Sequence, residues 1–251
     1  MTEHYLPRLL SHRPSLHGPT LQGPSLQGPS LQSMGRRSLL GMGAAGTALL
    51  MAGAARAQAV PPNGELTFNL IREGDKIGHE TVAFERSGTK MTVFVDASIR
   101  VTMAMVTVFR LHHHETETWD NGQLLSFAAT TEKNGRNFYA QGWRVNDAFM
   151  VRGTANPGGY QAPAGALPTS QWNHAMLQGP MINTQDGRLM RPVVTSHGIA
   201  DVVTAEGATI PARHFAARGD LHFDTFFTDA WEWVGLSFKA DDGSLVTYEK
   251  V

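Results

Sequence analysis

The sequence predicts an all-β fold, mainly antiparallel, in which residues 60–251 form a single curved sheet or a partly closed barrel or β-roll with at most one short helix. Two observations favour this class. Turn signals recur about 8–12 residues apart between short apolar runs, as in an antiparallel meander. No segment carries a long apolar repeat at the helical period of about 3.6 residues, so folds built from βαβ units are not expected.

The first half of this region is typical of consecutive hairpins. Asn121-Gly122 and Asn134-Gly135 are expected to be tight turns, because Asn and Gly tolerate the positive φ that hairpin turns require. The longest expected strand ends at Trp119, next to the first of these turns. The expected strands are residues 65–71, 76–86, 91–95, 106–119, 124–131 and 138–143.

The second half begins with a predicted loop, because Asn156-Pro157-Gly158-Gly159 and the residues up to Pro168 are rich in turn formers. Residues 170–177 are the one candidate for a short helix. Strands are then expected to resume at residues 191–194, 200–204, 210–218, 221–227, 231–238 and 245–248.

A secretory signal peptide is predicted at residues 34–59. Arg36-Arg37 supply a basic start, residues 39–55 form an uncharged run of mostly Leu, Met, Ala and Gly, and Ala57 and Ala59 offer small-residue cleavage sites. The paired arginines followed by apolar residues also indicate a twin-arginine signal. The protein is therefore expected to be exported to the periplasm, with cleavage after Ala57 or Ala59.

Residues 1–33 are expected to be a disordered Gly/Pro repeat upstream of the true start. The five-residue unit breaks down after Ser30, and Met34 follows at once with an ordinary signal layout behind it. A membrane anchor at residues 39–55 is disfavoured, because a span needs about 20 apolar residues. The working protein is then residues 60–251, a single β domain without a membrane span.

Charge and composition argue against several classes of function. Five of the 21 Lys and Arg residues and one of the 22 Asp and Glu residues precede Val60, so residues 60–251 carry a formal charge of −5 with His neutral. A mildly acidic region without a basic cluster does not favour nucleic acid. The chain has no cysteine, which excludes disulfides, thiol nucleophiles and Cys-ligated metal centres.

The most polar of the expected strands carries the candidate site. Side chains alternate between the two faces of a strand, so His113, Glu117 and Trp119 share a face that begins as core and becomes polar. A strand that leaves the core to line the rim of a cavity has this pattern. A buried histidine paired with Glu115 or Glu117 for structural reasons has it too.

The opposite face of this strand offers a metal alternative. His112 and His114 form an H-x-H pair whose imidazoles could converge on one divalent ion. A third ligand would have to arrive from elsewhere in the fold. The competing interpretation is an exposed face with two solvated histidines.

Motifs for covalent or cofactor chemistry are weak. Residues 41–46 match G-x-G-x-x-G, but they lie inside the predicted signal peptide and outside any βαβ unit. Residues 60–251 contain no G-x-S-x-G and no H-E-x-x-H. No cofactor is expected.

The chain resembles an uncharacterised family of exported bacterial proteins, domain of unknown function 6134. The resemblance is carried by residues 109–124, Asn134-Gly135, residues 183–189, 212–215 and 233–238. It implies a β-rich envelope protein of unknown activity, in which the recurring His, Glu and Trp of the long strand fall on His113, Glu117 and Trp119. It departs from the family pattern at Phe226-Phe227-Thr228-Asp229, where the family tends to have Trp-Tyr-Asp.

Together these observations favour a non-catalytic envelope protein that holds a lipid, another apolar or amphipathic small molecule, or a protein partner in the concavity of its sheet. Trp119, Glu117 and His113 are the ligand-binding candidates. Two alternatives stay open at this point: a metal-assisted hydrolase that uses His112 and His114, and a purely structural interaction protein.

Overall fold

The computed structural model describes residues 60–251, and the predicted repeat and signal peptide lie outside the described residues. The large sheet contains β1 Glu65–Arg72, β2 Asp75–Ser87, β3 Lys90–Met103, β4 Val106–Asp120, β5 Gln123–Lys133, β6 Arg136–Val145, β7 Ala148–Gly153, β8 Asn156–Gln161, β12 Val193–Val203, β13 Thr209–Arg218, β14 Phe223–Phe227, β15 Trp233–Lys239 and β16 Leu245–Lys250. Three two-residue strands, β9 Leu167–Pro168, β10 Met181–Ile182 and β11 Leu189–Met190, form a second small sheet.

The large sheet is an antiparallel meander in which nearly every strand pairs with its neighbours in sequence. Its thirteen strands follow the order β12 to β16 and then β1 to β8, so the pairing of β1 with β16 joins the two halves of the chain. The edge strands β8 and β12 do not pair with each other within residues 60–251, so the sheet is not a closed barrel. The predicted all-β antiparallel fold is confirmed.

Several local predictions differ from the structure. The predicted loop at residues 156–168 is wrong in part, because β8 pairs with β7 despite its Pro and two Gly residues. Proline is tolerated there because β8 is an edge strand. Two strands expected near residues 191–204 are one strand, β12, interrupted by a bulge between Ser196 and Ile199.

The predicted short helix is a five-residue 3-10 helix, His174–Gln178. Asn173 caps it, since its side-chain oxygen accepts a hydrogen bond from the Ala175 N–H at 3.1 Å. Within the described residues, no helix has the length and apolar character needed to cross a membrane.

The large sheet curves around residues 162–192, which we call the inner segment. Lys133 on β5 and Phe223 on β14 line one cavity of about 580 Å³, although their strands are seven positions apart in the sheet. In a flat sheet, strands spaced about 4.8 Å apart would separate them by roughly 34 Å. The sheet must therefore bend back towards itself, with the inner segment inside the bend.

Trp172 of the inner segment is central to the core. Its indole is 2% exposed and packs edge-on against Phe84 of β2 and Trp119 of β4, with ring centroids 5.3 and 5.6 Å away. Fully burying an aromatic side chain contributes about 1.5–3 kcal/mol, and the edge-to-face geometry adds to this. The inner segment is thus held to the concave face by apolar burial.

The inner segment also contacts β7 through backbone. The Ala155 N–H donates to the Asp186 carbonyl at 2.9 Å, and a methyl group on Gly153 would overlap the same carbonyl oxygen. Glycine at position 153 is therefore required for the close approach of the two chains.

We expect Gly153→Ala to lower the free energy of unfolding by about 1–3 kcal/mol, because the added methyl overpacks a backbone contact. Gly158→Ala on β8 is the matched control, since a methyl there meets nothing within 4 Å. Urea unfolding of both variants checks this. Equal stability of the two variants would show that the inner segment is not packed against β7 as described.

Candidate functional site

The long strand β4 alternates between the two faces of the sheet as its sequence predicts. Leu111, His113, Glu115, Glu117 and Trp119 are buried on the concave face. His112 and His114 project from the convex face, where they line a separate depression with Tyr139. The buried face therefore changes from apolar to polar and back to apolar within nine residues.

Ser170 of the inner segment joins the two buried carboxyl groups of β4. Its hydroxyl donates to Glu115 Oε1 at 3.1 Å and also contacts the carboxyl of Glu117. The other Glu117 oxygen accepts a hydrogen bond of 2.7 Å from the Trp119 indole. Glu117 is completely buried, so these bonds replace the water that its carboxyl loses on folding.

His113 connects the same cluster to β5 and to the inner segment. Its Nδ1 lies 2.8 Å from the Thr131 hydroxyl, and its Nε2 lies 3.4 Å from Glu115 and 3.5 Å from the Thr184 hydroxyl. Every polar group of the ring thus faces a protein partner. The histidine is held in one orientation from both sides.

A row of inward side chains crosses four adjacent strands at this level. Glu80 of β2 pairs with Ala97 of β3, Ala97 with His113 of β4, and His113 with Thr131 of β5. Because Ala97 carries only a methyl group, space remains between the carboxyl of Glu80 and the imidazole. Tyr248 of β16 approaches Glu80 from the other side and acts to lower the pKa of its carboxyl.

Burial favours the uncharged form of each titratable group in this cluster. Desolvation raises the pKa of Glu80 and of Glu115 to about 7, and raises the pKa of Glu117 well above its ordinary value. It also lowers the pKa of His113. Glu80 keeps partial exposure because its side chain borders the cavity.

The cluster stands at one end of the cavity of about 580 Å³. We call this end the polar end, and it consists of Glu80, His113, Glu115, Ser170, Thr184 and Tyr248. The walls beyond it are aliphatic and aromatic, contributed by Val95, Ile99, Val101, Leu111, Leu236 and Phe238. The opposite, open end lies among the exposed side chains Met103 and Val108 and the turn at Asp241-Asp242.

The structure separates the three predicted binding residues. His113 lines the cavity, whereas Glu117 and Trp119 are 0% and 2% exposed and lie behind Ser170 and Trp172. They are interior residues and do not form a rim. Their contacts hold the floor of the cavity in position.

Sequence reasoning missed most of the polar end. Glu80, Ser170, Thr184 and Tyr248 come from four distant parts of the chain and meet only because the sheet curls and β1 pairs with β16. Glu80, which interrupts the buried side of β2, was the one signal available in the sequence.

His112 and His114 do share a face, as predicted. His114 Nδ1 lies 2.5 Å from the Asp96 carboxyl on the convex surface, and His112 pairs across the strands with Ser98 and Glu132. No group of three or more His, Asp or Glu side chains in residues 60–251 has the arrangement of a metal site.

Fold and site together define an all-β protein whose curved sheet lines a cavity with a buried polar end. The chain belongs to the family described as a domain of unknown function (DUF6134), whose model matches residues 68–251. No curated protein and no solved structure matches the chain.

The free energy of unfolding of the wild-type protein should fall between about pH 5 and about pH 8. We expect the fall in Glu115→Gln to be smaller by more than about 1 kcal/mol. Burial raises the pKa of Glu115 above its ordinary value of 4.5, so the folded state binds this proton more tightly than the unfolded state does. Its contribution to stability is therefore complete below pH 4.5 and is lost as the pH rises through about 7.

Urea unfolding at both pH values measures this difference. The lowered pKa of His113 makes the free energy of unfolding rise with pH, which is the opposite sign. Because wild type and variant both contain His113, the difference between them reports the substitution of Glu115. Glu132→Gln on β5 is the matched control for the Glu-to-Gln substitution itself. Identical pH dependence in Glu115→Gln and wild type would contradict the burial of an uncharged carboxyl at this position.

Proposed function

We propose that this is an exported binding protein of the cell envelope that holds an apolar or amphipathic small molecule, such as a lipid, in the cavity of its curved sheet. The cavity with its apolar walls and its buried polar end is the observation that carries the proposal. Its volume of about 580 Å³ falls within the roughly 300–1,000 Å³ typical of small-molecule sites.

The apolar walls would supply the affinity. Each methylene group that moves from water into such surroundings contributes about 0.8 kcal/mol, so a chain of several carbons would gain enough to offset the entropy lost on binding. The polar end would give orientation, because one end of the ligand meets hydrogen-bonding groups and the rest meets side chains such as Val101, Leu111 and Phe238.

The proposed location in the envelope rests on the leader of the sequence. The basic pair Arg36-Arg37, the apolar run and the small residues at 57 and 59 have the layout of a cleaved export signal. A cysteine-free chain suits export as well, since no disulfide has to form after translocation.

Filling the cavity should abolish binding without unfolding the protein. We expect Ala97→Phe to weaken binding of an uncharged naphthylamine fluorophore at least about tenfold, a loss of about 1.4 kcal/mol, because the new ring occupies the space between Glu80 and His113. Fluorescence titration measures the affinity, and circular dichroism confirms the fold of each variant.

Ala128→Phe is the matched control, since Ala128 is exposed on the convex face of β5. It should bind the fluorophore as wild type does. Wild-type affinity in a folded Ala97→Phe variant, or no binding by the wild-type protein, would contradict the proposal.

A further inference from the structure

We propose that the ligand's head group is uncharged and both donates and accepts hydrogen bonds, as a primary amide or a hydroxyl does, and that it is not a carboxylate or a phosphate. This inference rests on the proposed function and concerns the polar end of the same cavity. It follows from the carboxyl and hydroxyl groups that line that end and from the absence of a paired Lys or Arg there within residues 60–251.

The polar end contains no Lys or Arg side chain to pair with an anion. Glu80 and Glu115 line it directly and Glu117 lies behind them, and within residues 60–251 no Lys or Arg forms an ion pair with any of the three. An anionic head group would be buried beside carboxyl groups, and like charges brought together without compensation cost several kcal/mol.

Three Lys and Arg side chains line the cavity: Lys239 ends β15 beside the turn at Asp241-Asp242, and the other two are engaged away from the polar end. Arg72 pairs with Asp242 in the turn between β15 and β16. The ammonium of Lys133 lies 5.6 Å above the ring of Phe109, four residues along β4 from His113. Both contacts draw positive charge towards the open end.

The polar end also carries hydroxyl groups, from Ser170, Thr184 and Tyr248. A hydroxyl can both donate and accept a hydrogen bond. A head group with both functions therefore complements this end.

The carboxyl groups suit the same kind of head group. With the pKa of Glu80 and Glu115 raised to about 7, each donates a hydrogen bond when protonated and accepts one when ionised. An amide or a hydroxyl can form a hydrogen bond with either the protonated or the ionised carboxyl, because it carries both a donor and an acceptor. A carboxylate accepts only.

The pH dependence has a definite sign. As the pH rises through about 7, Glu80 and Glu115 ionise and repel a carboxylate ligand more strongly, whereas an amide keeps a partner throughout. The other titratable groups near these two carboxyls are His113, Glu117 and Tyr248, with Asp96 acting through the sheet.

A matched series tests the inference. Dodecanamide, dodecanol and dodecanoate share one chain length and differ only in the head group, and each competes with the bound naphthylamine fluorophore. At about pH 8 we expect the amide and the alcohol to displace it at concentrations at least about tenfold lower than dodecanoate, a difference of about 1.4 kcal/mol.

The double variant Glu80→Gln with Glu115→Gln removes both ionisable groups while keeping their shape. It should improve the affinity for dodecanoate about tenfold at about pH 8 and change that for dodecanamide less than about threefold. Glu132→Gln is the control for the substitution itself and should leave the whole series unchanged.

Two results would overturn the inference. If dodecanoate displaces the fluorophore as well as the amide does and loses affinity in Lys133→Gln, the head group binds at the open end. The proposed function would then stand without this inference. If neither the fluorophore nor any dodecyl compound binds the wild-type protein, the proposed function fails together with the inference.

Discussion

The contact of Ser170 with two buried carboxyl groups is the interaction on which the site depends. Glu115 and Glu117 lie on the concave face of β4 with no Lys or Arg paired to them in the described residues, so their burial depends on hydroxyl, imidazole and indole groups that satisfy them. Ser170 brings one of those hydroxyls from the inner segment. The same contact ties the inner segment to the centre of the sheet.

The shape of the cavity follows from this attachment. Trp172, two residues after Ser170, fills the space against Phe84 and Trp119, so the concave face is packed solid at that end. Towards the open end the sheet continues but the inner segment does not fill it, and aliphatic walls remain around a space of about 580 Å³. One buried polar contact thus separates a packed core from a cavity.

Local patterns in the sequence were sufficient to predict the fold class and the faces of β4. Alternation placed His113 and Glu117 on one face and His112 and His114 on the other, because the direction of a side chain in a strand depends only on its position along the strand. The Asn-Gly turns at residues 121–122 and 134–135 were predicted for the same local reason, since the tolerance of positive φ depends on the residue type alone.

The long-range contacts that assemble the site could not be predicted from local sequence patterns. Glu80 and Tyr248 are far apart in sequence and meet because β1 pairs with both β2 and β16, a long-range choice that no local pattern encodes. The loop prediction at residues 156–161 failed because an edge strand accepts proline and glycine when it has one paired neighbour. Trp119 was expected at a rim, and its burial depends on Trp172 arriving from the inner segment.

The central claim is that the cavity holds a small molecule in the cell. Native mass spectrometry of the protein purified from its own cell envelope, rather than from cytoplasmic overproduction, tests this most directly. We expect the mass of the processed chain plus one small apolar or amphipathic molecule, released when the protein is denatured. A bare chain under conditions gentle enough to preserve known protein–lipid complexes would contradict the claim.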